Sequence, residues 1–297
     1  MTYLAFETNV LGRIEFDSVA MPFARSAELG VELKRRGKRV TANDILQSAW
    51  TDSLAVIQNN GERLSEADVN AILEDVYVPG YKLANPALLN WFGETDAWWF
   101  DNVRRNLDRI QSPYLFANGA SIAMSVIDYA ASFKGEEREL RQPLSNVYKR
   151  IWSLRPVPLT NSQNNGCQNK TANEFLAETF VDCMFLRLPQ PHADFTHADR
   201  RREEWLRGHG DFWPTVAASQ NGKLGVKVET RSQYLQMLEQ TLSIASNIKH
   251  WAIAHIDTGF LSTQEVVETI GKIRRVEAVY TKDFSELAGA KAVMITA

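Results

Sequence analysis

Asn43-Asp44 ends the short run Val40-Thr41-Ala42, and Asp44 stands 19 positions beyond Arg25. An acid about 20 residues past the first turn of an open α/β sheet is placed to meet ribose hydroxyls. The same pair equally suits a helix N-cap. Chemistry could also sit where the hydrophobic stretch Val181 to Leu186 runs into Arg187-Leu188-Pro189-Gln190. Arg187 carries N–H donors and no acceptor, so it cannot take a hydrogen bond from an amine. Gln190 ends the run with an amide and no aromatic face. His192, His197 and His209, with Cys183, Asp194 and Asp199 nearby, show no tight Cys/His pairs at a zinc spacing, and no metal is expected. Ser121 and Ser125 lack the surroundings of a nucleophile elbow.

Phosphate contact would need a basic face. The formal charge of −3 argues against binding by bulk electrostatics, so any such face must be local. Arg200-Arg201-Arg202 is one candidate, and Arg141, Lys149, Arg150 and Arg155 form another. The cluster Lys34, Arg35, Arg36, Lys38 and Arg39 reads as a solvated helix end. Trp98, Trp99 and Phe100 could stack on bases, but an aromatic run beside helices is more often core.

These residues need a scaffold. A chain of 297 residues with 44% hydrophobic content can bury a full core. Cys167 and Cys183 suggest a loop thiol and a core thiol, not a disulfide framework. Met1-Thr2-Tyr3 opens without a charged and apolar leader, and no apolar run nears the roughly 20 residues that cross a bilayer. The expectation is a cytoplasmic protein with no membrane partner.

The first 60 or so residues alternate strand, helix, strand, helix. The strands are Asp17 to Ala20 and Arg39 to Ala42; the first helix, Glu28 to Arg36, is stopped by Gly37. Residues 65–133 turn helical, ending in the long apolar helix Tyr114 to Phe133. Residues 134–173, with Pro143, Pro156 and Pro158, read as loops. Strands at Val181 to Leu186, Trp251 to Ile256, Val276 to Thr281 and Ala292 to Thr296 follow, with helices at Gln233 to Ser246 and from the capping box Ser262 to Glu265. The expected fold is α/β, a doubly wound, Rossmann-like sheet.

Taken together, several stretches resemble the Dam-like class of adenine-specific DNA methyltransferases. Tyr3-Leu4-Ala5-Phe6-Glu7 sits where that family has Tyr-(Leu/Ile)-Gly-x-Lys, and Phe23-Ala24-Arg25-Ser26-Ala27 where it has Phe-Ala-Gly-Ser-Gly. Val40 to Asp44 is similar to its strand ending in Asn-Asp. Val181 to Gln190 leads into the position of its catalytic Asp-Pro-Pro-Tyr, and Gly259-Phe260-Leu261-Ser262 is similar to its closing segment.

The resemblance implies a methyltransferase sheet made of residues 1–64 and 161–297, with a mainly helical insertion at 65–160 in the target-recognition position. It also implies that the chemistry is dismantled. Arg187, Leu188, Pro189 and Gln190 stand at degenerate catalytic positions, while Tyr3, Phe23, Arg25, Ala27 and Asp44 are vestiges of an S-adenosylmethionine site. Arg25 and Ala27 replace both glycines that let the backbone approach the cofactor, and Glu7 reverses a lysine's charge.

No cofactor and no catalytic residue are therefore expected. The expected role is a non-catalytic subunit beside an active methyltransferase or another protein of a DNA-modification or defence system. Double-stranded DNA would contact Arg200, Arg201, Arg202, Lys149 and Arg150. The first alternative is an active, divergent S-adenosylmethionine-dependent enzyme in which Asp44 binds cofactor and Asp182 or Asp194 supplies an acceptor. The second is a protein-binding scaffold without nucleic acid.

Overall fold

The computed structural model describes residues 3–133, 135–191, 195–257 and 259–297. The first part of the chain forms α1 (Leu4–Leu11), β1 (Ser18–Met21), α2 (Glu28–Arg35), β2 (Arg39–Asn43) and α3 (Gln47–Ser53), which runs into a π-helical turn, Leu54–Gln58. Four helices follow: α4 (Glu66–Ile72), α5 (Glu94–Leu107), α6 (Pro113–Ser132) and α7 (Leu144–Leu154). The chain then returns to the sheet through β3 (Gly166–Gln168), α8 (Ala172–Ala177) and β4 (Cys183–Arg187). After α9 (His197–Arg207), α10 (Trp213–Gln220) and α11 (Arg231–Ile244) come β5 (His250–Asp257), α12 (Thr263–Gly271), β6 (Ala278–Phe284) and β7 (Ala290–Thr296).

The strands make one seven-stranded sheet in the order β3-β2-β1-β4-β5-β7-β6. From β3 to β5 neighbours run parallel, and β7 enters antiparallel between β5 and β6. Chain order reverses between β1 and β4, so their carboxyl ends open a crevice at the switch point where such sheets bind ligands. Both faces are covered, as parallel strands require. Met184, Leu186, Trp251 and Ile253 pack with residues of α8, α11 and α12, whereas Cys183, Phe185, Ala252 and Ala254 pack with residues of α1 and α2. Successive side chains of β4 and β5 thus feed opposite cores.

The helices α4 to α7 gather round a separate cluster that includes Val69, Trp99, Phe100, Ile127 and Tyr148. Trp205 and Leu206 of α9 belong to the same cluster, and the Trp205 indole donates to the Phe100 carbonyl at 2.9 Å. The helix α9, which follows β4 in the chain, is therefore part of the same packed cluster as α4 to α7. Trp98, Trp99 and Phe100 are buried on α5, in keeping with their reading as core.

The helix α7 and the strand β3 correct the expectation of loops over 134–173. The prolines flank α7 rather than break it: Pro143 sits at its N-cap, and Leu144, Val147 and Tyr148 then recur at helical spacing on its buried face. The strand β3 has no apolar run of its own and forms because Thr41 to Asn43 of β2 offer it a ladder. Lys34 is also displaced from the expected solvated surface. It is fully buried, and its Nζ donates to the Asn59 carbonyl at 2.6 Å, placing a cation at the end of the π turn. Burial pulls that amine down to about 8. Gly37, at φ +79°, does end α2, because the left-handed turn suits a residue without Cβ. No described helix is long and apolar enough to cross a membrane.

Candidate functional site

The carboxyl ends of β1, β2 and β4 converge on a cavity of about 200 Å³ at the switch point. Phe23 and Arg25 reach it from the loop after β1, Asp44, Ile45 and Leu46 from the loop after β2, and Arg187 to Gln190 from the end of β4. Phe195, Gln220, Gly225 and Ile256 close it. Gly225 is needed there: its φ is +107°, and a Cβ would lie 3.1 Å from the Phe23 ring.

Most of the residues singled out at catalytic and cofactor positions therefore line one cavity. Ala27 instead occupies the N-cap of α2 and does not line the cavity. Tyr3 lines a smaller neighbouring space with Phe6, Glu7 and His255, its ring edge-on to Phe284 at 5.0 Å. Arg187 borders both spaces.

The loop after β1 keeps a glycine-like turn without the glycine. Arg25 has φ +23°, and its backbone N–H donates to Asp44 Oδ2 at 2.8 Å. Positive φ crowds the Cβ of an L-residue at a cost of about 1–2 kcal/mol, so surrounding contacts must hold it. One such contact is the ion pair from Arg25 Nη2 to Asp199 of α9, 2.7 Å long. Four residues on, Glu203 of α9 accepts from the Ser48 N–H at 2.5 Å and pairs with Arg207 at 2.8 Å. The helix α9 is thereby clasped to the loop after β1 and to the first turn of α3, which follows the loop after β2. Sequence reading missed Asp199 and Glu203 in this role, although the Thr196–Asp199 capping box that starts α9 was a legible signal.

Asp44 is buried, and each oxygen has a backbone donor: Oδ1 accepts from Leu46 at 2.9 Å and Oδ2 from Arg25 at 2.8 Å. Loss of water raises its carboxyl to about 6, outweighing the N–H groups of Leu46 and Arg25 that favour the charged form. A carboxyl raised on folding stabilises the protein while protonated. That contribution is complete below about pH 4 and is lost as pH rises through about 6. Relative to Asp44→Asn, the native chain should lose on the order of 2–3 kcal/mol of unfolding free energy between those limits. Chemical denaturation of both proteins across that range checks it; parallel curves would show that Asp44 keeps an ordinary carboxyl.

At the end of β4 the two charge reversals meet. Arg187 Nε donates to Glu7 Oε1 at 3.0 Å and Nη2 to Oε2 at 2.7 Å, a bidentate pair between the strand end and α1. The Glu7 side chain is 4% exposed and that of Arg187 is 31% exposed, so the acid depends on its partner. The Pro189 carbonyl accepts from the Tyr234 hydroxyl at 2.7 Å.

Asp182 cannot reach this region. It lies before the amino end of β4 and accepts from the Asp17 and Ser18 N–H groups at 3.1 and 2.9 Å, one strand length from the cavity. Asp194 and His192 lie outside the described residues. No group of acids, histidines and cysteines able to hold a metal occurs among the described residues.

The basic candidates divide by structure. Arg202 is tied to Asp128 and lies 3.7 Å from Asp52, joining α9 to α6 and α3. Arg200 lies over Trp213, with its guanidinium carbon 4.8 Å from the ring centroid, and Arg201 lies 5.7 Å over Trp91. Lys149 and Arg150 are exposed on α7. Of the wider cluster, Arg141 pairs with Asp96, while Arg155 is turned inward to Ser121 at 2.7 Å.

A doubly wound sheet with a small cavity at its switch point, shaped by an acid after β2 and a loop after β4, defines a Rossmann-like methyltransferase fold. No family model matches the chain. It is 30% identical over 294 residues to the type II methyltransferase M2.HphI of Haemophilus parahaemolyticus, an alignment covering 93% of this chain and 87% of that protein. The chain belongs to the type II methyltransferase family.

Proposed function

We propose that the chain is a catalytically degenerate homologue of DNA adenine methyltransferases, working as a non-catalytic DNA-binding or partner subunit of a DNA-modification or defence system. The bidentate Glu7–Arg187 pair carries this reading. Methylating an exocyclic amine requires acceptors that hold the amine and direct its lone pair at the methyl group. At the cavity wall where such an acceptor is wanted, Arg187 presents donors alone, and Glu7 is occupied by them.

The residues do not suit S-adenosylmethionine. A sulfonium would enter a cavity lined by two cationic residues, Arg25 and Arg187, and Arg25 carries a side chain at the turn where the resemblance calls for glycine. Asp44 favours a second reading, an active divergent enzyme, because it lines the cavity at the spacing that suits a ribose.

Isothermal titration of the purified chain with S-adenosylmethionine distinguishes the two. The expected result is no detectable heat of binding and no tritiated methyl transfer to mixed-sequence duplex DNA. Micromolar affinity together with methyl incorporation would establish the divergent enzyme instead.

A further inference from the structure

We propose that the loop over residues 75–82, with Tyr77, Val78 and Tyr81 outermost, is a docking surface for a second copy of this chain, joined about a two-fold axis. The inference holds whether the chain is degenerate or active, and so stands apart from the function proposed above.

The loop is built before anything binds it. Three buried polar residues of α5 hold its backbone and the residues that flank it. Asp101 accepts from the N–H groups of Ala84 and Asn85 at 2.9 and 3.0 Å. The Asn102 amide donates to the carbonyls of Val76 and Val78, both at 3.0 Å, and the Asn106 amide to those of Ile72 and Glu74 at 3.0 and 2.9 Å. Gly80 rests against the Trp98 ring, which a Cβ there would meet at 3.4 Å. The side chains so displayed nevertheless face water. Tyr81 is 102% exposed, Val78 58% and Tyr77 45%, and Leu89, in the 3-10 turn Pro86–Asn90 that follows, is 52% exposed. Of the ten large hydrophobic side chains exposed among the described residues, these four fall between positions 77 and 89. Single exposed apolar residues are ordinary, but a cluster on a fixed backbone suits a protein interface, because little ordering remains to oppose binding and tyrosines serve as anchors.

Charge decides the occupant. Exposed Asp75 stands at one end of the loop and exposed Lys82 at the other, and neither makes an ion pair among the described residues. About a two-fold axis, residue i of one copy meets residue j of the other and j meets i. An apolar centre flanked by one acid and one base therefore complements itself, with Asp75 of each copy facing Lys82 of the other. Phosphate would need a basic surface instead, and residues 73–91 carry Lys82 alone beside Glu74 and Asp75. Glu74 is already paired with Arg109 at 3.2 Å, which leaves Asp75 as the acid available to a neighbour.

Sedimentation equilibrium of the full chain over roughly 1–100 μM tests this, a range that brackets the affinity of an interface at the small end of the usual sizes. The native chain should pass from monomer to dimer within it. Tyr81→Ala removes a wholly exposed side chain, so it should melt as native does while weakening the dimer at least about tenfold, the change falling twice at the centre. Lys82→Glu sets acid against acid twice and should also weaken it about tenfold. Asp75→Asn removes attraction alone, and an amide suits the φ of +52° found there. Mixed together, these last two variants make a pair with one attraction and no repulsion. That pair should associate about threefold more tightly than Asp75→Asn with itself. A native chain that stays monomeric throughout overturns the proposal. So does a mixed pair no tighter than Asp75→Asn with itself, or undiminished dimerisation of Tyr81→Ala, either of which would put the dimer contact on another face. Loss of duplex DNA binding in Tyr81→Ala, beside a monomeric native chain, would assign the loop to nucleic acid and overturn it too.

Discussion

Arg187→Asp alone should destabilise the protein by about 2–4 kcal/mol, and adding Glu7→Lys should return most of the loss. The single change sets a second carboxylate against an acid that is 4% exposed and has lost both hydrogen bonds from its partner. Breaking a buried pair typically costs about 3–5 kcal/mol, and the partial exposure of Arg187 lowers that figure. In melting temperature the single variant should fall by roughly 3–6 °C. The double variant re-forms an ion pair of opposite sense between α1 and the end of β4, so a double-mutant cycle should give a coupling of at least about 1 kcal/mol. Additive losses would mean that the two charge reversals are independent and would remove the main support for a coupled rebuilding of this wall.

The second large effect concerns the cofactor. Arg187→Asp with Gln190→Tyr replaces the donor wall by an acceptor and a ring, yet it should yield no methyl transfer, because the pair's acid then stands unpartnered and Arg25 still lines the cavity. Adding Glu7→Lys, Ala5→Gly, Arg25→Gly and Ala27→Gly restores a counter-ion and frees the loop whose Arg25 sits at φ +23°. Cofactor binding should then pass from undetectable to measurable by calorimetry, while turnover remains absent. Transfer needs the methyl donor and amine held within about 3–3.5 Å, a tolerance that six substitutions on an unadapted frame do not secure. Tritium incorporation by the unmodified chain would reverse the conclusion. A flat titration for the six-substitution variant would place the obstruction in residues beyond these, with Asp199 and Phe195 the next to change.

The Arg25–Asp199 contact also explains why loop substitutions should reach beyond the loop. Removing Arg25 frees Asp199 in the first turn of α9, the helix that carries both the Arg200–Arg201 step and Glu203. The cavity and the basic helix thus share contacts and would respond together.

The strand and helix runs that make the sheet were readable because burial on both faces leaves continuous apolar strands such as Cys183 to Leu186, and capping boxes mark helix starts such as Ser65 and Ser262. Of the residues that the family resemblance singled out, Arg25, Arg187 and Gln190 line the switch-point cavity and Glu7 the smaller space beside it. Sequence could not make β3 a strand, since Gly166 to Gln168 has no apolar pattern and only the edge of β2 gives it partners. Nor could it join Glu7 to Arg187 across 180 positions, or turn Lys34 inward, because a charge is assigned a partner or burial only by packing. Arg200, Arg201 and Arg202 show the same division most plainly. As a sequence they are one basic run, but successive helical residues point about 100° apart, so α9 sends Arg202 to Asp128 and lays Arg200 and Arg201 on different indoles.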